Sequence, residues 1–279
     1  MVTETAQVRE DMIALLSSDL DGTLVGDPAA TERFTVAWET MPANRRPLLV
    51  YNTGRSVLDT RALIAARQLP EPDYIIGSVG TELYERSLTG RTERFGVNFA
   101  DAWDLDRVET VVGGLPRITR QPTMFCSTYK SSWFWPRARA GEVKQLQAQL
   151  TAAGLFVHVD YSCRYFLDIV PAAAGKGQAL QWLCAELGIP LSRVLVAGDT
   201  GNDASMFLLE SVRGIVVQNA LPELLVPLAQ RDVYVAEHSM ADGVVEGLAH
   251  FGVMEPAGDA WPMTDGAAPV TQDALRFPE

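Results

Sequence analysis

LLSSDLDGTLVGD, residues 15–27, carries an apolar run into two aspartates, Asp19 and Asp21, and then into Gly22 and Thr23. Ile13, Ala14, Leu15 and Leu16 read as a buried strand. Two like charges spaced two residues apart at its end cost free energy unless a cation or a proton resolves them. The pair therefore asks for a positive partner, and the rest of the chain is searched for it.

Further short apolar runs alternate with helical patterns, which is the signature of a parallel sheet flanked by helices. The expected strands are Met12–Leu16, Leu48–Tyr51, Tyr74–Ile76, Val194–Ala197 and Gly214–Val217. Each is followed by small or polar residues: the two aspartates, Asn52–Arg55, Gly77–Gly80, Gly198–Asp203, and Gln218 with Asn219. Ligands bind at the carboxyl ends of strands in open α/β sheets. Asp19 and Thr53 are about one βαβ unit apart, so nothing large fits between them. Between Thr53 and Lys176 roughly 80 to 90 residues exceed what one further unit needs. These give an α/β fold, a Rossmann-like core with an inserted α+β domain. The expected boundaries are core at 1–84, insertion at 85–167, core again at 168–253, and a mobile tail at 254–279 that Trp261 and Phe277 could dock.

Within the insertion, Thr123–Pro136 reads as strand, AGEVKQLQAQLTAAG as helix ending in Gly154, and LFVHV with RYFLDIV as a hairpin joined at Asp160–Cys163. Both ends of the insertion return to the sheet near the acidic residues, a placement suited to a lid.

With a net charge of −12 over 279 residues, nucleic acid and anionic membranes are not expected partners, because those surfaces need concentrated Lys and Arg. Cys126, Cys163 and Cys184 are odd in number and widely spaced, consistent with inert free thiols in a reducing compartment. Met1–Asp11 is polar and carries no secretory pattern, and no segment reaches membrane-span length. A cytoplasmic protein is expected.

If the strand ends converge, Asp19, Asp21, Asp199 and Asp203 crowd one crevice. Oxygen-only ligation suits Mg²⁺; His158, His238 and His250 lack the paired spacing zinc would need and are read as structural or surface residues. The same crevice collects the Thr53 hydroxyl, main-chain N–H groups around Gly22 and Gly54, and Lys176 at a helix start, all able to hold phosphate. A carboxylate nucleophile beside a cation is a device for phosphoryl transfer through an aspartyl-phosphate. Asp19 would attack, and Asp21 would protonate the leaving oxygen and then deprotonate water.

DLDGT (Asp19–Thr23), NTGR (Asn52–Arg55), Lys176 and GDTGND (Gly198–Asp203), in that order, resemble the four motifs of the haloacid dehalogenase (HAD) superfamily. The resemblance implies a HAD core with a cap, Asp19 as nucleophile and Asp21 as general acid/base. It implies that Thr53 and Lys176 hold phosphate, and that Mg²⁺ is held by Asp19, the main-chain carbonyl of Asp21 and Asp199. Asn202 and Asp203 support the phosphate and the metal shell. More narrowly, SDLDGTLVGD, EPDYIIGSVGTELY, LDIVPAAAGKGQAL, RGIVVQNALPELL and ADGVVEGLAHFG are similar to bacterial sucrose-phosphate phosphatases, and KSSWF with ADGVVEGL also to mannosylfructose-phosphate phosphatases. This implies a phosphorylated non-reducing disaccharide as substrate, with a sugar-phosphate synthase as a further partner. The extra C-terminal domain of plant sucrose phosphatases is expected to be absent.

Lys130 matches a cap lysine of that family that reaches substrate. Gly54 and Arg55 are expected at the phosphate, with Arg55 equally able to pair a nearby carboxylate. Glu82 and Asp168 are candidate acceptors for sugar hydroxyls or structural acids, and Trp133 with Trp135 reads as core rather than a sugar platform. Outside this class stand a sugar phosphomutase, whose cap would sit between the first two motifs, and a non-catalytic sensor, which would not need Asp21.

Overall fold

The computed structural model describes residues 12–255 apart from 67–68, 88–91, 93–94, 96–98, 100–102, 230 and 232. The tail expected from residue 254 lies, beyond Glu255, outside the described residues. The strands are β1 (Leu15–Ser18), β2 (Leu48–Asn52), β3 (Tyr74–Gly77), β4 (Glu82–Glu85), β5 (Thr119–Arg120), β6 (Ser131–Phe134), β7 (Val157–Ser162), β8 (Phe166–Pro171), β9 (Val194–Gly198), β10 (Arg213–Val216) and β11 (Val233–Val235). The helices are α1 (Pro28–Thr40), α2 (Val57–Ala65), α3 (Leu105–Gly113), α4 (Ala140–Ala152), α5 (Lys176–Leu187), α6 (Ala204–Phe207), α7 (Pro222–Leu228) and α8 (Met240–His250).

A seven-stranded sheet runs in the order β11-β10-β9-β1-β2-β3-β4, parallel except where β4 turns back on β3. Its central strand, β1, pairs with β2 on one side and β9 on the other. The chain thus winds outward in one direction and then in the other from β1, and the crevice at the end of β1 is the topological switch point where such sheets bind ligands. Alternation along the strands covers both faces. Leu16, Leu49, Ile75 and Leu195 pack with Phe34 and Trp38 of α1 and Val244 and Leu248 of α8. Leu15, Val50, Ile76 and Val196 pack instead with Leu180 and Leu183 of α5. Each such side chain contributes about 1.5–3 kcal/mol when removed from water.

The first strand lies three residues later than its apolar run suggests. Ser17 and Ser18 are fully buried within it because they pair with Val196 and Ala197 of β9. The Ser18 hydroxyl is satisfied by the Asp19 carbonyl at 2.8 Å. Ladder pairing, not hydrophobicity, sets that boundary.

The second sheet is antiparallel in the order β5-β6-β8-β7. One face packs on α3 and α4 through Val108, Val112, Leu146 and Leu150, and Trp133 and Trp135 lie in that core. Of the expected strand Thr123–Pro136, only Ser131–Phe134 is extended, and Thr123–Phe125 forms a 3₁₀ turn. The hairpin turn falls at Cys163 and Arg164, later than expected, with both residues left-handed at φ 53° and 52°. Strand β8 continues to Pro171, so the expected boundary at residue 167 falls inside it.

On α8, a side chain at Gly247 would meet three carbons of Ile215 at 2.5–2.6 Å. Gly247→Ala should therefore lift the helix from the sheet and cost about 1–3 kcal/mol. An unchanged denaturant midpoint would show that the helix is not seated this closely.

Candidate active site

Register brings the site together. Ser18 sits beside Ala197, so the turns leaving β1 and β9 lie side by side, and the Asp19 N–H donates to the Ala197 carbonyl at 3.0 Å. Gly22 then turns at φ 85°, and a Cβ there would fall 2.2 Å from Asp199 Oδ2. Only glycine lets Asp199 approach so closely. Thr23 Oγ1 donates to Asp199 Oδ1 at 3.1 Å, and Asn219 ties the Gly22 carbonyl from the far side at 2.8 Å.

Lys176 opens α5 after Gly175, whose φ of 124° belongs to glycine. Its ammonium, buried to 0% exposure, donates to Asp19 Oδ1 and to Asp203 Oδ1, each at 2.7 Å. It also reaches Asn202 Oδ1 at 3.5 Å. Asp19, Asp199 and Asp203 are all buried, with carboxylate oxygens within 4.8 Å of one another. Burial raises the Asp19 carboxyl well above the usual range, Lys176 pulling it down and Asp203 and Asp199 pushing it up. Burial and then Asp203 push Asp199 up to about 7. For Lys176, burial alone would lower the ammonium, but Asp19 and Asp203 outweigh it and the net shift is upward. One ammonium facing three carboxylates leaves the cluster short of positive charge. An all-oxygen donor set of this kind fits a hard divalent cation.

The remaining expected residues divide. Thr53 is buried at the end of β2, its hydroxyl accepting the Arg55 N–H at 3.2 Å. The Gly54 carbonyl accepts Lys130 Nζ at 3.2 Å, so a lysine from the second sheet reaches across to the first. Lys130 also stands 4.0 Å from Asp168 Oδ1, which is buried and accepts no hydrogen bond from the described residues. Asn202 Oδ1 takes the Thr200 hydroxyl at 2.7 Å.

Two expectations change, for Asp21 and Asp160, while Glu82 takes one of its two expected roles and Asp203 adds a second role to its place in the cluster. The Asp21 side chain stays out of the acidic cluster. It is half exposed and held by Arg55 through two hydrogen bonds of 2.6 Å, which also gives Arg55 to a carboxylate. Glu82 takes the structural one of its two expected roles: its two oxygens accept the Val57 N–H at 2.9 Å and the Ser78 hydroxyl at 2.8 Å, bracing the start of α2. Asp203 spends Oδ2 on the N–H groups of Asp199 and Thr200, at 3.0 Å each, so it shapes the loop as well as facing Lys176. Asp160, expected in a turn, sits in β7 directly across from Asp168. Burial and the Asp168 charge push its carboxyl up to about 7. The signal for it was present: Val157, Val159 and Tyr161 belong to the cap core, so Asp160 falls on the opposite face.

A family model described as sucrose-6F-phosphate phosphohydrolase matches residues 12–252. The chain belongs to that family. The mannosylfructose-phosphate phosphatase of Agrobacterium fabrum is 43% identical over 86% of this chain and 98% of its own length. A probable sucrose-phosphatase of Arabidopsis thaliana is 34% identical over 85% of this chain, which spans 59% of that relative. Among solved structures, the sucrose-phosphatase of Synechocystis sp. PCC6803, described in complex with sucrose and phosphate, superposes with a TM-score of 0.79. It is 33% identical, over 86% of this chain and 98% of that one. The mostly parallel sheet with an added antiparallel sheet is the HAD fold, and the protein is a HAD sugar-phosphate phosphatase, a phosphoric monoester hydrolase. No helix among the described residues is long and apolar enough to cross a membrane.

Asp160 gives this phosphatase a pH signature. Its carboxyl binds a proton more tightly folded than unfolded, so it withdraws stability as pH rises from near 3.8 and stops doing so above about 7. Asp160→Asn should gain stability over the parent across that window and hold a constant margin above it. A margin independent of pH in thermal melts would show that this carboxylate is not buried ionised.

Proposed function

We propose that the chain hydrolyses a phosphorylated disaccharide through an aspartyl-phosphate on Asp19, with sucrose 6-phosphate as the first substrate to test. The observation that carries the mechanism is the Lys176 bond to Asp19 Oδ1. It fixes the carboxylate and leaves its other oxygen without a hydrogen bond from the described residues. That oxygen attacks phosphorus as the bond to the sugar oxygen breaks. Asp21, at the cleft edge, is a carboxylate while Arg55 holds both its oxygens, so it must part from Arg55 and take a proton from solvent before it gives that proton to the departing sugar oxygen; it then takes one from the water that cleaves the aspartyl-phosphate. The Arg55 clamp holds Asp21 toward that edge and away from the cluster. Thr53 and Lys176 hold the phosphoryl oxygens, where negative charge is spread in a loose transition state.

Mg²⁺ is the proposed cofactor, held by Asp19, Asp199 and the main-chain carbonyl of Asp21, with Asp203 shaping the loop behind them. When bound, it neutralises phosphoryl charge and orients the ester. On the cap side, Lys130, Asp160 and the Asp168 oxygen that accepts no hydrogen bond from the described residues offer one cation and two acceptors to sugar hydroxyls. Selectivity among disaccharides then rests on a few hydrogen bonds. Mannosylfructose phosphate is the second reading, favoured by the 43% identity to the Agrobacterium fabrum enzyme. A glucosylglycerol-phosphate synthase of Pseudomonas anguilliseptica carries a related segment, 32% identical over 32% of its length. This supports a synthase as the partner that supplies the phosphorylated sugar.

The test is phosphate release from sucrose 6-phosphate, mannosylfructose 6-phosphate, glucose 6-phosphate and fructose 6-phosphate, with Mg²⁺ and with EDTA. One disaccharide phosphate should dominate and EDTA should abolish release; equal slow release from all four, or release that survives EDTA, would defeat the substrate or the metal assignment. Asp19→Asn should lose about a thousandfold or more in turnover with its fold intact. Asp21→Asn should slow both the formation and the breakdown of the phosphoenzyme in single-turnover experiments. A parental rate for either step would remove Asp21 from it.

A further inference from the structure

The turn joining β7 and β8 is built against local preference. Two-residue hairpins with both central residues left-handed favour Asn and Gly, yet here Cys163 and Arg164 occupy those positions. Backbone of this kind costs about 1–3 kcal/mol per residue and persists where its surroundings hold it. Part of the hold lies within the cap, where the Arg164 and Tyr165 carbonyls accept the Arg137 and Trp135 N–H groups at 2.8 Å each, and part comes from across the cleft. The Cys163 N–H donates to Glu223 Oε1 at 3.1 Å, and Glu223 belongs to the first turn of α7, on the catalytic domain.

Glu223 is itself a fixed post. Leu221, just before α7, donates its N–H to the Asp199 carbonyl at 2.7 Å, and Leu224 is fully buried in the main core. The same oxygen that takes the Cys163 N–H also faces the Gly201 N–H at 3.5 Å. The stem of Glu223 lies so close along Gly201 that a Cβ there would meet its Cγ at 3.3 Å and its Cβ at 3.4 Å. One carboxylate oxygen therefore joins the tip of the cap hairpin to the loop that carries Asp199 and Asp203. From the other side of the cleft, Lys130 Nζ reaches the Gly54 carbonyl at 3.2 Å. The hairpin that Glu223 grips is the one whose strands carry Asp160 and Asp168.

We propose that Glu223 is a positioning residue: it couples docking of the cap hairpin to the placement of the acidic loop, so that a substrate large enough to engage the cap is turned over with the loop held in register. This rests on the reading of the Gly198–Asp203 loop as part of the catalytic site. Glu223 touches no reacting atom. It acts through Cys163 and Gly201, by main-chain bonds that any acceptor oxygen of the same reach would preserve.

The test compares kcat/KM for the preferred disaccharide phosphate with that for p-nitrophenyl phosphate, which is too small to engage the cap. Glu223→Ala should lower the ratio of the two by about tenfold, the worth of one charge-assisted hydrogen bond. Glu223→Gln, which keeps the acceptor oxygen at the same reach, should recover most of it. Glu223→Asp, one methylene shorter, should behave like alanine, and serves in its place if the alanine variant does not fold. Equal losses on both substrates, or a glutamine variant as impaired as alanine, would overturn the proposal. Parental turnover of the two substrates reports on the phosphatase reading separately, because it does not depend on how the variants change their ratio.

Discussion

The structure turns on a single ammonium. Lys176 is buried completely and donates to Asp19 and Asp203 at 2.7 Å, while Asp199 stands in the same cluster without a cation of its own. Charges withdrawn from water this far are tolerable only when paired and hydrogen-bonded. The fold supplies the pairing from separate places: β1 delivers Asp19, the turn after β9 delivers Asp199 and Asp203, and α5 begins at Lys176. None of these is near another in sequence. Parallel strands in register at a switch point bring them together. The residual negative charge is what a divalent cation would neutralise, and on the proposed function that cation would also let an anionic phosphate ester approach the carboxylates.

Above this centre the cap provides a second polar surface on an otherwise apolar module. Its outer face is closed by α3 and α4 over Trp133 and Trp135. Its inner face carries Asp160 and Asp168 as cross-strand neighbours, with Lys130 beside them. Opposed carboxylates at this spacing repel, and burial sharpens the repulsion. Hydroxyl donors from a sugar would relieve it. On the proposed function the division is physical: the sheet end would bind what all substrates share, a phosphate, and the cap would present acceptors for what distinguishes them.

How much of this could be read from the chain depended on how local each signal was. Asp19, Thr53, Lys176 and Asp199 were legible because each follows an apolar run or opens a helix, and sheets of this class gather such ends. Trp133 and Trp135 were legible as core from size and spacing. Asp160 was legible only in its alternation with Val157, Val159 and Tyr161, since the turn that fixes its register contains Cys163 and Arg164 in place of the glycine or asparagine that marks such turns. Glu82 and Arg55 each had two readings open in the sequence, for another reason. Their roles depend on which neighbour lies within 3 Å, the Val57 amide for one and Asp21 for the other, and spacing along the chain does not encode that.

Asp19 and Asp21 answer the like-charge problem posed by their spacing in opposite ways. Successive turns after β1 send Asp19 inward to Lys176 and Asp21 outward to Arg55. The inward carboxylate gains a fixed orientation, which a nucleophile needs. The outward one stays half exposed to water, which the proposed acid and base would need. Gly22 lies directly after the pair, and its left-handed turn, closed by the Gly22 to Val25 hydrogen bond of 2.8 Å, separates the two environments. Two acids with one residue between them can thus take different roles because each has its own cation and its own dielectric.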